Sequence, residues 1–342
     1  MVYRNKHYSE TYLTENFLDS VLILADIALS FDDQLAEAYI IKGQYFRSHN
    51  QKEQALKEFD KAIKFNPIEY VAYWAKGSLY YLDDNVKTID NYHKAASLHR
   101  GSFLPRIYRG LSYAYLNASF KKVSYHYVEE ALKLDNDSAE YYFALVMIEH
   151  GISNYENTIE FGEKLCNIDS THYYNYWTIF LIGYSHMVLG QVEESLKYLK
   201  KSEKILKSRD MIVGLVLSRL GHAHSVNGFK EEAKHYLNAG IERINKTLEL
   251  QQHGQSREID AYYNLAASYA AMGDKGKAYE YLRRLNQFER MSLWVTGNIK
   301  DDPMFESIRD QPEFQQILTD LDAKYQAEHE RVRQWLEEND ML

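Results

Sequence analysis

The stretch Ala36–Pro67, AEAYIIKGQYFRSHNQKEQALKEFDKAIKFNP, decides the fold. At helical spacing Tyr39, Gly43 and Phe46 share one face, and Ala55, Phe59 and Ala62 share the face of a second helix that ends before Pro67. The small residues have a physical purpose. Gly43 lets the partner helix approach the first, and Ala55 and Ala62 let the first helix of a following pair pack closely. One pair of this size cannot bury its own apolar face, so the stretch calls for neighbours of the same kind.

Those neighbours are present. With Gly43 as the eighth position of its unit, further copies start near residues 70, 105, 139, 176, 214 and 259. The second carries Tyr73, Gly77 and Tyr80 in register, then Tyr92 and Ala95 after a turn one residue shorter. The seventh carries Tyr262, Leu265, Ala266, Tyr269, Gly273, Ala278 and Leu282. The order of aromatic, small residue and Tyr, followed by A-x3-F ahead of Pro, resembles the tetratricopeptide repeat, a unit of about 34 residues. The resemblance implies an all-α fold: a right-handed α-solenoid, or superhelix, of stacked antiparallel helix pairs. About seven units over residues 36–290 are expected, with irregular caps at 1–35 and 291–342.

The caps read differently from the repeats. Leu18, Val21, Leu22, Ala25 and Ala28 lie at helical spacing, like the second half of a unit whose first helix would be the polar stretch Tyr3–Leu13. This half-unit is either a cap or a seam to an upstream domain. At the other end, Asp302-Pro-Met-Phe305 and Gln311-Pro-Glu-Phe314 each place Pro where a short helix would start. With Arg309 between them, they are similar to a phrase that closes tetratricopeptide arrays in many bacterial signalling and transcription-regulator-linked proteins. Trp294, Phe305, Ile308, Phe314 and Leu318 can cover the apolar end of the last repeat. The charged segment Asp320–Leu342 reads as a further helix, either folded back as a cap or free to meet a partner. Residues Gln251–Arg257 read as a polar loop.

Composition narrows the function. The net charge of −9 argues against nucleic acid or an anionic membrane as the main partner. The basic run Lys197, Lys200, Lys201, Lys204, Lys207 and Arg209 is interleaved with Glu193, Glu194 and Glu203, as on a solvated helix face. A single cysteine, Cys166, excludes an intramolecular disulfide; with no apolar leader after MVYRNKHYSE, the expected location is the cytoplasm. No phosphate loop, nucleophile elbow, zinc motif or paired cysteine spacing occurs. His222 and His224, two apart on a helix, point to different sides and lack a third ligand. The chain therefore reads as non-catalytic, with no cofactor and no metal site; an enzyme with a diverged site in the groove is the lesser alternative.

What the family resemblance implies about binding is specific. In such arrays the first helices line a concave face, and positions two, five, nine and twelve of each unit point into it. Carried over to this chain, that face holds Trp74, Tyr81, Arg106, Arg109, Tyr113, Phe143, Met147, His150, Trp177, Phe180 and Tyr184. The family's Lys/Asn clamp for C-terminal carboxylates is not matched at these positions. An aromatic groove with two arginines suits a protein or peptide segment with apolar anchors, and Arg106 and Arg109 can hold a carboxylate in bidentate fashion. Two readings of the rings stay open: recognition, or packing between neighbouring first helices. A homodimer through the terminal helices is the alternative partner, and the sensory or interaction module of a bacterial regulator is the expected role.

Overall fold

The structure is a computed structural model that describes residues 17–81, 83–169, 175–209, 211, 213–249 and 255–341. Among these residues the chain is all-α and divides into two compact units, Met1–Ala114 and Tyr115–Leu342.

The first unit contains α1 (Phe17–Phe31), α2 (Ala36–Ser48), α3 (Lys52–Phe65), α4 (Tyr70–Tyr80), α5 (Asn85–Leu98) and most of α6 (Leu104–Asn117). Its core is small residues set against rings. A Cβ on Gly43 of α2 would stand 2.5 Å from the Phe59 ring of α3, and one on Gly77 of α4 would stand 2.6 Å from the Tyr92 ring of α5. Only glycine lets these helices approach so closely. Phe59, Ala55 and Ala62 are fully buried with Ala72 and Ala75 of α4, and burying a phenylalanine of this kind contributes about 2–3 kcal/mol. The expected polar helix Tyr3–Leu13 lies outside the described residues.

The second unit continues with α7 (Lys121–Asp135), α8 (Ser138–Gly151), α9 (Tyr155–Ile168), α10 (Asn175–Val188), α11 (Val192–Ser208), α12 (Gly214–Val226), α13 (Lys230–Glu249), α14 (Gln255–Ala271) and α15 (Lys275–Leu285). Consecutive helices pack as antiparallel pairs, and the architecture is an α-solenoid. Gly183 and Gly221 meet Leu199 and Leu237 in the same sense that Gly43 meets Phe59.

A second signature recurs at the turns. Asn50, Ser119, Ser153, Gly190, Gly228 and Gly273 each come just after a first helix and adopt the left-handed conformation, with φ of 57°, 68°, 61°, 73°, 85° and 80°. One residue later the backbone N–H reaches back to the last helical turn: Gln51 to Phe46, Phe120 to Tyr115, Asn154 to Glu149, Gln191 to His186, Phe229 to His224 and Asp274 to Tyr269. This left-handed cap satisfies carbonyls that the helix end would otherwise leave bare. Side-chain caps begin several helices, with Asp137 accepting from Glu140 N at 3.0 Å and Asp274 from Lys277 N at 3.0 Å.

Two expectations are corrected near the C-terminus. Helix α14 begins at Gln255, inside the stretch read as loop; residues 251–254 lie outside the described residues. After α16 (Leu293–Asp301) and a single 3-10 turn, Pro303–Phe305, one helix α17 runs without a break from Pro312 to Glu338. The supposed separate tail is thus the continuation of the Pro312 helix. Its apolar stripe, Phe314, Ile317, Leu321, Tyr325, Val332 and Leu336, is buried, as is Glu328, which pairs with Arg331 at 2.8 Å, and Arg333–Glu330 at 2.6 Å lies on the outer side. Phe305, Ile308, Phe314, Ile317 and Leu321 join Leu282 and Leu285 in one core, with Trp294 and Leu318 packed against it.

Candidate functional site

In the first unit, three successive first helices, α2, α4 and α6, contribute to one cluster. Trp74 of α4 is half-buried; the Arg47 guanidinium of α2 stands 6.0 Å from its ring centre and that of Arg106 of α6 stands 5.4 Å away. Phe103, in the turn before α6, meets Trp74 edge-on at 5.3 Å and carries Arg106 at 5.7 Å. Next to it Tyr70 stacks on His99 at 4.0 Å. Arg106 is exposed and forms no ion pair among the described residues. Packed beside this ring pair, the guanidinium keeps an apolar backing and leaves its N–H groups toward solvent, where a carboxylate can meet them. Arg109, Tyr113 and Tyr81 are half-buried on α6 and at the end of α4.

The second unit treats the same face differently. Phe143, His150, Phe180 and Tyr184 are buried, and Met147 and Trp177 are half-buried, with Trp177 stacked on Phe180 at 5.1 Å. This corrects the expectation of an open aromatic groove here. The physical reason is mainly packing between neighbouring repeat helices, Phe180 and Tyr184 sharing a core with Val146, Leu199 and Leu220, while α16 also lies against α8. Asn298 Nδ2 donates to His150 Nε2 at 3.3 Å, and Tyr155 Oη donates to Asp301 at 3.0 Å.

The centre of that contact is Asp302, fully buried. Its carboxylate accepts from Arg219 Nη2 of α12 at 2.8 Å and from Tyr263 Oη of α14 at 2.8 Å, and it caps Met304 N at 3.0 Å. The Arg219 guanidinium in turn lies 5.6 Å from the Tyr184 ring and 5.8 Å from the Tyr263 ring. Burial is the largest single influence on the Arg219 pKa and lowers it; Asp302, Tyr263 and Tyr184 together outweigh it and the pKa is raised. Burial, then the Asp302 charge, pushes Tyr184 and Tyr263 well up. His150 is pushed down to about 4 by burial, so it is neutral in the folded chain.

Sequence reasoning missed Arg47, Phe103, Arg219, Tyr263 and Asp302. Arg47 and Phe103 carry weak local signals: the first sits at position twelve of its unit, the second just ahead of a first helix. Asp302 carries the Asp-Pro phrase, but its partner Arg219 is 83 residues away and nothing local announces the pair.

The remaining candidates have structural surroundings. His224 is buried and stacked on Tyr236 at 5.3 Å, and no group of His, Cys, Asp and Glu that could hold a metal occurs among the described residues. Cys166 donates to Asn175 Oδ1 at 3.4 Å, and burial pushes its thiol pKa up, away from thiolate reactivity. The basic run on α11 is exposed and partly paired, Lys197 with Glu194 at 2.7 Å and Lys207 with Glu203 at 2.8 Å. No helix among the described residues is long and apolar enough to cross a membrane.

Residues 36–69 and 259–289 match the family model of the tetratricopeptide repeat. Among solved structures, the Rap conjugation gene regulator of the plasmid pLS20, in complex with the Phr* peptide, aligns over 94% of this chain and 97% of its own, at 12% identity and a TM-score of 0.59. The apo form of RapI aligns over 73% of this chain and 96% of its own, at 14% identity and a TM-score of 0.56. The Cut9–Hcn1 hetero-tetramer of APC/C aligns over 66% of this chain and 43% of its own, at 13% identity and a TM-score of 0.56. At such identities the likeness is one of fold. No curated protein sequence matches the chain. The recurrent helix pairs, their glycine contacts and left-handed turns, and the two matched stretches agree: the chain has the fold of a tetratricopeptide solenoid and carries the repeat itself at residues 36–69 and 259–289.

Proposed function

We propose that the protein is a non-catalytic scaffold that binds a peptide or protein segment on the first-helix face of its first unit. The observation that carries this reading is the exposed Arg106 packed beside Trp74 and Phe103, with Arg47 on the same indole. In the second unit, by contrast, Arg219 is already bonded by the chain's own Asp302 and His150 by Asn298. The likeness to a Rap regulator crystallised with a peptide supports a fold suited to holding one. The same likeness supports a role as the sensory or interaction module of a bacterial regulator, and the cytoplasm is its proposed location.

The test compares capture from bacterial lysate by the native chain and by a Trp74→Ala, Arg106→Ala variant whose circular dichroism is unchanged. Partners held by the native chain and lost by the variant are expected. Identical capture by both would overturn the assignment to the first unit. If a Met147→Ala, Trp177→Ala variant alone loses the partners, the second unit is the binding surface.

One observation favours self-association as a second reading. Ile23, Leu24, Ile27 and Phe31 form an apolar stripe on the outer side of α1 and are 49% to 87% exposed. A helix that is apolar on both sides calls for a second contact. The homodimer reading therefore rests on α1, since the apolar stripe of α17 is consumed within the second unit. Light scattering of native and Ile27→Asp, Phe31→Asp chains separates monomer from dimer.

A further inference from the structure

Each unit sets an arginine against two aromatic rings. In the second unit, Arg219 lies between the Tyr184 and Tyr263 rings at 5.6 and 5.8 Å, and the arrangement is complete: Asp302 bonds the guanidinium at 2.8 Å, Met304 Sδ lies 3.0 Å from Nη1, and Phe305 meets the Tyr263 ring edge-on at 5.7 Å. In the first unit, Arg106 packs beside the Trp74 and Phe103 rings at 5.4 and 5.7 Å, the two rings meeting each other edge-on at 5.3 Å. Here the guanidinium is exposed and has no carboxylate among the described residues. Arg47 lies on the same indole, 6.0 Å from its centre.

We infer that the Trp74–Phe103–Arg106 cluster is the docking site of a partner peptide in which an aspartate precedes a Met-Phe pair, the chemistry that Asp302, Met304 and Phe305 present to Arg219. The inference rests on the first unit being the binding surface and adds the ligand's chemistry. Its carboxylate takes the Arg106 fork, and its thioether and ring extend over the Trp74 and Phe103 faces. The apolar part supplies desolvated contact area and the acid supplies selection. The helix registers of the two arrangements differ: Arg219 is flanked by rings from the first helices on either side, whereas Arg106 takes its rings from α4 and from the turn before its own helix. The requirement on the ligand is therefore local, one acid and two apolar groups.

The test uses the full chain and a fluorescein-labelled, end-blocked peptide of residues 299–306, IKDDPMFE, read by fluorescence anisotropy. Saturable binding is expected, weakening at least tenfold, about 1.4 kcal/mol, with Arg106→Gln, with Trp74→Ala, and with the peptide in which both aspartates are replaced by asparagine. Raising the salt should weaken the acidic peptide and leave the asparagine peptide unchanged. Equal affinity for both peptides, with loss on Trp74→Ala, would overturn the acidic requirement while leaving the first unit as the binding face. Binding unaffected by either protein change places the peptide elsewhere and overturns the inference, as does absence of binding. Arg106 is exposed, so its variant is read without a folding defect; circular dichroism checks the Trp74 variant.

Discussion

Arg106 and Arg219 make an instructive pair. Each is an arginine set against two aromatic rings at nearly equal distances, one in each unit. Arg219 is 2% exposed and bonded to a fully buried aspartate; Arg106 faces solvent. The chemistry of the clasp is common to both, and the difference is whether the chain itself supplies the carboxylate. Where it does, the clasp becomes part of a core and its charges are committed to stability. Where it does not, the clasp is available to a partner. A repeat scaffold can thus convert one surface motif into either a fastening or a receptor, depending on whether a later segment of the chain returns to cover it.

The largest effect should come from opening the fastening. Asp302→Ala leaves Arg219 charged, buried and without its acid, a change that costs about 3–5 kcal/mol. Denaturant melts should show that loss in the second unit, while peptide binding at the first is unchanged. Undiminished stability would break the distinction between the two clasps.

Next in size is an effect of pH. His150 is held at about 4 by burial against an ordinary 6.5, so between these values the unfolded chain takes up a proton that the folded chain refuses. Stability therefore falls as pH drops through 6.5, by roughly 2 kcal/mol at pH 5. His150→Gln should flatten this share of the acid loss. A comparable share from His93 of the first unit, also lowered to about 4 by burial, should remain. Urea midpoints at pH 7 and pH 5 read both.

A smaller loss is expected from Gly43→Ala in the first unit. The new Cβ would meet the buried Phe59 ring at 2.5 Å. Overpacking costs about 1–3 kcal/mol against ~1 kcal/mol regained in helix propensity, leaving a net loss read from thermal melting. Smallest of all is the stability effect of Arg106→Gln, about 0.5–1 kcal/mol, the worth of an exposed cation–π contact. That change should act chiefly on binding, and a larger fall in stability would show that Arg106 is a fastening too.

Much of the repeat architecture is legible because it is local. Gly43 and Phe59, or Gly77 and Tyr92, lie within one helix pair, and their sizes record how closely the two helices approach. The open or closed state of the face is not local. Phe143, His150, Phe180 and Tyr184 have the character of groove residues, yet all four are buried, and His150 is bonded by Asn298, 148 positions later. The charged composition after Asp320 likewise suggests a new segment. The helix continues because Leu321, Tyr325, Val332 and Leu336 keep one apolar stripe through it.

Helix α17 has a further consequence for how the second unit comes apart. Over 27 residues it extends about 40 Å. Near its start Arg283 of α15 pairs with Glu313, and near its end His329 Nδ1 donates to the Ala118 carbonyl at 2.7 Å and its ring lies 4.7 Å from that of Phe120. An open stack frays from its ends, since each repeat holds only its neighbours. In the second unit the strut joins the last repeat to the turn after α6, across a sequence separation of 211 residues. Its repeats then lose the freedom to peel away one at a time and unfold as a single cooperative block. The same long closure must be made during folding, so this block assembles late and slowly for a protein built of such local pairs.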